Sequence, residues 1–319
     1  IIDASVNSKK LPCSISGISS KINFANDSIK IEPTKLLVNG TPIELRGTVN
    51  SSAKADIFVI GKNLSVVNLL KFVPDLKIPD IKGFVGFSAN LKGNLNNLET
   101  LILADLNKIV VSDNGKILTK FEGGNVKFSG DLKSLEGTVT LTNTSILPSD
   151  LLNNLKSEKL TLNIKKDKIE LPKTPMTFGG TGFEVNGKIS DYTSKTPDFN
   201  FDIAGKLNST ALYNVIKRQK GAEKLLAATK GNVGVVGNIK GVGQKITVKA
   251  DLTANRDNYI SCLVIKELLG MPSLTKVYAE FDGKNLDMKE VSLNKNGVKK
   301  ETILSLQGKV LNVQKPRFD

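Results

Sequence analysis

Apolar and polar residues alternate along most of this chain. Ile22 and Phe24, Ile29 and Ile31, Val126 and Phe128, Val139 and Leu141, and Leu160, Leu162 and Ile164 each skip one position. So do Ile169 and Leu171; Phe199, Phe201 and Ile203; Ile246, Val248, Ala250 and Leu252; Val277, Ala279 and Phe281; Val291 and Leu293; and Leu304 and Leu306. A period of two places such residues on one face of a strand. Strands buried on both faces read instead as continuous apolar runs. The pattern therefore predicts antiparallel strands with one apolar and one wet face. Asn39-Gly40, Asp113-Asn114-Gly115, Asn186-Gly187, Asp282-Gly283 and Asn296-Gly297 fall between candidate strands. They supply the positive φ that tight hairpins need.

Four segments break the alternation and are expected as helices, near residues 65–73, 149–156, 209–229 and 259–269. The first carries Val66, Leu69, Leu70 and Val73 at i, i+3, i+4 and i+7 and stops before Pro74. The second opens on Ser149 as an N-cap before Leu151, Leu152 and Leu155. The third sets Leu212, Val215 and Ile216 against Lys217, Arg218, Lys220 and Lys224, and the fourth runs into Gly270-Met271-Pro272. Each is read as covering a sheet edge or end, with membrane-surface docking as the sharper option for the basic 209–229 segment.

A local motif recurs. Lys82-Gly83-Phe84-Val85-Gly86-Phe87-Ser88-Ala89-Asn90-Leu91-Lys92-Gly93 aligns, 148 residues on, with Lys230-Gly231-Asn232-Val233-Gly234-Val235-Val236-Gly237-Asn238-Ile239-Lys240-Gly241, and seven of the twelve positions are identical. Each copy follows a strand, a Gly-Lys pair (Gly61-Lys62, Gly205-Lys206) and an expected helix. This defines strand–helix–strand repeat units at about 57–111 and about 199–257. Self-similarity of this kind marks an elongated repeat architecture. Residues 1–319 are accordingly expected as one continuous repeat body. The start at Ile1 without a signal-peptide pattern suggests a fragment of a longer protein.

The segments Ile60-Gly61-Lys62-Asn63-Leu64, Leu69-Leu70, Val73-Pro74 and Ile81-Lys82-Gly83-Phe84-Val85, with Phe201-Asp202-Ile203-Ala204-Gly205 and Gly231-Asn232-Val233-Gly234-Val235, carry a resemblance. Over roughly residues 40–310 the chain resembles the AsmA-like superfamily of diderm bacteria, which includes the AsmA, TamB and YhdP families. The resemblance implies a long, twisted antiparallel sheet curled into a U-shaped groove that is apolar inside. It also implies a periplasmic protein held to the inner membrane by a segment outside this chain, moving phospholipid toward the outer membrane. On this basis the groove is expected to be lined by Ile22, Phe24, Ile29, Ile31, Val126, Phe128, Val139, Leu141, Phe199, Phe201, Ile203, Ile246, Val248, Val277 and Phe281. Alternation alone also fits these residues forming packed core or a helix-covered sheet face, which is the favoured reading of each residue taken singly. Two alternatives stand beside lipid carriage: an outer-membrane protein assembly factor, and a structural β-repeat scaffold without lipid cargo.

Composition narrows the chemistry. The chain has no His, which excludes Ser–His triads and His-ligated metals, and only two Cys, Cys13 and Cys262, which exclude a Cys₄ metal site. The two Cys are expected as isolated thiols. The acidic residues are scattered without a paired constellation, so no enzyme, metal or cofactor is expected. The net charge is +14, carried by 41 Lys and 4 Arg. Nucleic-acid readers rely on Arg forks and stacking aromatics, and with 5% aromatics no nucleic-acid partner is expected. Dispersed Lys suits a solvated face or anionic headgroups. Shielding acyl chains is worth about 0.8 kcal/mol per methylene, and a continuous apolar face does this without a reactive group.

Overall fold

The computed structural model describes residues 4–6, 14–25, 27–70, 80–131, 134–146, 155–211, 213, 226–243, 245–255, 257–262, 272–295, 302–311 and 317–318. The chain is mostly β, with short helices, and the described strands form a large antiparallel sheet. It divides into two compact units: Ile1–Thr144 with Thr161–Lys166, and Ser145–Leu160 with Asp167–Asp319.

Unit 1 holds β1 (Ala4–Val6), β2 (Ile15–Ser19), β3 (Ile22–Ala25), β4 (Ser28–Val38), β5 (Thr41–Asn50), β6 (Lys54–Ser65), α1 (Val66–Leu70), β7 (Asp80–Asn94), β8 (Asn97–Asp113), β9 (Lys116–Asp131) and most of β10 (Glu136–Ile146). From β4 onward it is a meander in which each strand pairs with the next along the chain, while β2 and β3 share the outer edge of β4. Asn39 and Gly40 have φ of 48° and 76°, and Asn114 and Gly115 have 49° and 78°. Two consecutive positive φ values define the two-residue turn whose twist matches a hairpin, and Asn-Gly adopts it at least cost. Bulges interrupt three strands that run in the same direction. In β4 Glu32 and Pro33 oppose one residue of β5, in β6 Lys62 and Asn63 oppose one residue of β7, and in β8 Lys108 and Ile109 oppose one residue of β7. Each bulge adds bend and twist to its strand. Near each sits a buried anchor: Thr34, Leu64 and Ile109.

Unit 2 holds β12 (Lys168–Phe178), β13 (Thr181–Ser190), β14 (Asp198–Asn208), β15 (Leu226–Lys230), β16 (Asn232–Val242), β17 (Lys245–Thr253), β18 (Tyr259–Cys262), β19 (Pro272–Phe281), β20 (Leu286–Lys295), β21 (Thr302–Leu311) and β22 (Arg317–Phe318), together with the start of β11 (Leu155–Ile164). The ladder runs β12–β13–β14–β16–β17–β19–β20–β21–β22, and β15 pairs with β18. Residues 209–211 and 213 are helical. The Asn208 side chain accepts the Ala211 N–H at 2.8 Å, as an N-cap does. Ala211 packs into a buried cluster of Met176, Phe178, Phe183 and Val185. A second cluster joins Val233, Val235, Leu252 and Ala254.

The structure corrects several helix boundaries. In the 259–269 segment, residues 259–262 are a strand, because Tyr259–Cys262 hydrogen-bonds to Leu226–Lys230, and backbone pairing outweighs a helical spacing of apolar residues. The same ladder makes residues 226–229 strand, so the 209–229 helix does not reach its expected end. In the 149–156 segment, residues 155–156 already belong to β11. The 65–73 helix is realised as Val66–Leu70. The remainder of these segments, 71–73, 149–154, 212, 214–225 and 263–269, lies outside the described residues, as do Asn296-Gly297 and Cys13. Asn186-Gly187 is not a turn. It lies inside β13, where Gly187 faces Phe201 and a Cβ would overlap the ring and the backbone behind it.

Candidate functional site

Directly opposed residues on paired strands share a face, as do residues two apart on one strand. In unit 1 this rule links Phe24, Ile29, Val49 and Ala55 in one row, and Ile22, Ile31, Gly47, Ile57 and Leu91 in the next. The same face continues through Ala89, Ile102 and Phe128, then Phe87, Ala104 and Val126. On β10, Leu141 lies against Gly124, and Gly137 lies against Phe128, which brings Val139 and Leu141 onto this face. All eight expected lining residues of unit 1 therefore stand on one side of its sheet.

Unit 2 repeats the arrangement. One row reads Ile169, Ile189, Phe199, Gly241, Ile246, Phe281 and Leu286. The next reads Leu171, Gly187, Phe201, Ile239, Val248, Ala279 and Met288, and a third reads Val185, Ile203, Gly237, Ala250, Val277 and Val291. The seven expected lining residues of unit 2 fall in these three rows. None of the fifteen expected residues is buried: thirteen are half-buried, and Phe24 and Ile29 are exposed. Phe24 keeps 77% of its surface accessible.

Glycines shape the apolar face. Phe201 lies against Gly187, Phe199 against Gly241, and Phe87 against Gly61, each pair sharing a rung. A ring can lie down over a neighbour without a side chain, which keeps the apolar surface low and continuous within each unit. The sequence reading missed Val49, Ile57, Phe87, Leu91 and Ile102. Leu101-Ile102-Leu103 and Ile57-Phe58-Val59-Ile60 are unbroken apolar runs, so alternation is hidden there. The signal available was cross-strand: Gly47 and Gly93 mark rungs whose partners are apolar.

The opposite face is polar and charged. In unit 2 one row reads Asn186, Asp202, Asn238, Lys249, Tyr278 and Glu290. Asn238 donates to Asn200 at 2.6 Å and to Asp202 at 2.8 Å. The Lys249 ammonium sits 4.4 Å from the Tyr278 ring centroid, and Lys276 pairs with Glu290 at 2.7 Å. The hydrogen bond from Tyr278, and the cation of Lys289 beside it, hold the Glu280 carboxyl below its ordinary range, and Lys276 does the same for Glu290. Backbone and side-chain N–H groups of Asn285 donate to the Asp282 carboxylate across the β19–β20 turn and lower it to about 2. These are exposed pairs of small individual worth. They keep this side polar. Among the described residues no group of three or more His, Cys, Asp or Glu could hold a metal ion, and no helix is long and apolar enough to cross a membrane.

No protein-family model, curated protein or solved structure matches the chain.

Proposed function

We propose that this chain is a non-enzymatic lipid-binding section of an AsmA-like protein, which shields phospholipid acyl chains on the apolar sheet faces during passage between inner and outer membranes. The observation that carries this reading is that the fifteen expected lining residues fall on one face in each unit and that none is fully buried, with Phe201, Ile203 and Val277 packed beside the buried clusters of unit 2. A packed core would bury most of them, since buried apolar side chains are what stabilise it.

Internal repetition supports the same reading. The rung Gly47–Ile57–Leu91 of β5, β6 and β7 has its counterpart in Gly187–Phe201–Ile239 of β13, β14 and β16, and Val49–Ala55–Gly93 in Ile189–Phe199–Gly241. Short helical turns follow β6 and β14. We read these as two copies of one strand–helix–strand module, each presenting the same strip of apolar surface in a U-shaped groove. In this proposal the chain resides in the periplasm and is anchored to the inner membrane by a segment outside it. Assembly of outer-membrane proteins would engage sheet edges rather than the apolar faces.

The test is extraction of the purified chain and mass spectrometry of the organic phase, with photocrosslinking from Phe128. The expected result is co-purified phospholipid and a lipid adduct at Phe128. Phe128→Asp should abolish the lipid signal while circular dichroism stays that of the parent. A chain free of phospholipid and without an adduct overturns the reading, and a Phe128→Asp variant that unfolds assigns Phe128 to core.

A further inference from the structure

On the polar side of unit 1 the alternation fails on β4 and β6, as it does at Leu101 and Leu103 on β8. Leu36-Leu37-Val38 and Ile57-Phe58-Val59-Ile60 put apolar side chains on both faces of β4 and β6. Phe58 is covered by the Arg46 guanidinium, 4.9 Å from its ring centroid. Leu37 and Ile60 have no such cover. They form, with Pro42, the floor of a depression of about 490 Å³ that also takes in Lys35, Glu44 and Lys62. Its volume lies within the range of small-molecule sites, roughly 300–1,000 Å³.

Register explains the arrangement. Lys35, Glu44 and Ile60 form one rung, and Leu37 and Pro42 form the adjacent one. Lys62 follows Ile60 by two positions and begins the β6 bulge, which turns the strand beside the depression. Gly17 has a φ of 61°, and its place on β2 leaves room beside the Leu37 side chain. Lys35, Glu44 and Lys62 form no ion pair among the described residues. Two cations and one carboxylate leave one net positive charge over an apolar floor.

We propose that this depression binds a single-chain amphiphile with a monoanionic head, the head between Lys35 and Lys62 and the first methylenes on Leu37, Pro42 and Ile60. The site lies on the side opposite the apolar face, so it stands or falls independently of the acyl-chain reading above. The occupant is a lone amphiphile rather than a bilayer surface, because the apolar floor is a hollow bounded by charges and not a protruding patch.

The experiment titrates the full chain with decyl sulfate below its critical micelle concentration, followed by methyl NMR of Leu37 and Ile60. Circular dichroism is recorded at each point to confirm that the fold persists. Saturable shifts at both methyls are expected, with at least tenfold weaker binding by Lys35→Gln/Lys62→Gln, whose substitutions are at exposed positions. Because the shifts are read at Leu37 and Ile60, binding on the opposite face does not enter the measurement. The proposal is overturned if decyltrimethylammonium binds as tightly, if the double variant binds unchanged, or if inorganic sulfate competes as well as decyl sulfate. It is also overturned if the chain floats with phosphatidylglycerol vesicles but does not bind the monomer.

Discussion

The two units carry the same kind of ladder and use it differently. In unit 2 the apolar side is packed at one end: Met176, Phe178 and Phe183 gather around Ala211, and Val233 is wholly inaccessible. In unit 1 the buried apolar residues, Ala55 and Leu64 on β6, Val85 on β7, Ile109 on β8 and Phe121 on β9, are spread over four strands. Phe24 and Ile29, on the same side as Ala55, stay exposed. The contrast shows that a one-faced strand does not decide what its apolar face becomes. What covers it decides. Where the helical turn after Asn208 folds back, the face turns into core, whereas at Phe24 on β3 and Ile29 on β4 it is left as surface.

The largest expected difference is at Phe183. Phe183→Ala should cost about 3–5 kcal/mol, read as a lower urea midpoint with faster amide exchange in β12 and β13. A loss near zero would mean that the cluster is not a core. Next is Gly187→Val, which sets a branched side chain against the Phe201 ring and the backbone of β14. A cost of about 1–3 kcal/mol is expected from overpacking, with displacement of the Phe201 ring resonances. Unchanged resonances would remove the role given to Gly187. The smallest change is Phe24→Ser in unit 1, which should leave stability within about 0.5 kcal/mol, since little of the side chain is buried. A large loss there would place Phe24 in a packed environment and weaken the contrast between the units.

Alternation made the faces legible before any register was known. Phe199, Phe201 and Ile203 lie where period two puts them because the antiparallel ladder preserves it strand after strand. What the pattern could not carry was pairing. Residues 259–262 have helical spacing, but Tyr259 opposes Lys230, a partner 29 positions away that no local window contains. Asn186-Gly187 has turn chemistry, but its glycine is needed for the close approach of Phe201. Ile102 was hidden because Leu101 and Leu103 are apolar too, on the wet side of β8. The depression at Leu37 and Ile60 left a trace of the same kind, the unbroken apolar runs Leu36-Leu37-Val38 and Ile57-Phe58-Val59-Ile60.

The meander from β4 to β9 has a kinetic consequence. Four of its five connections are only two or three residues long, so each strand meets its partner almost as soon as it exists. Hairpins close in about 1–10 μs, whereas synthesis at about 5–20 residues per second needs about a second for a strand the length of β7. Assembly therefore keeps pace with the ribosome, and the sheet grows by adding each strand to the last. The vulnerable object is the newest edge, whose unpaired N–H and C=O groups stay open to mispairing until the next strand arrives.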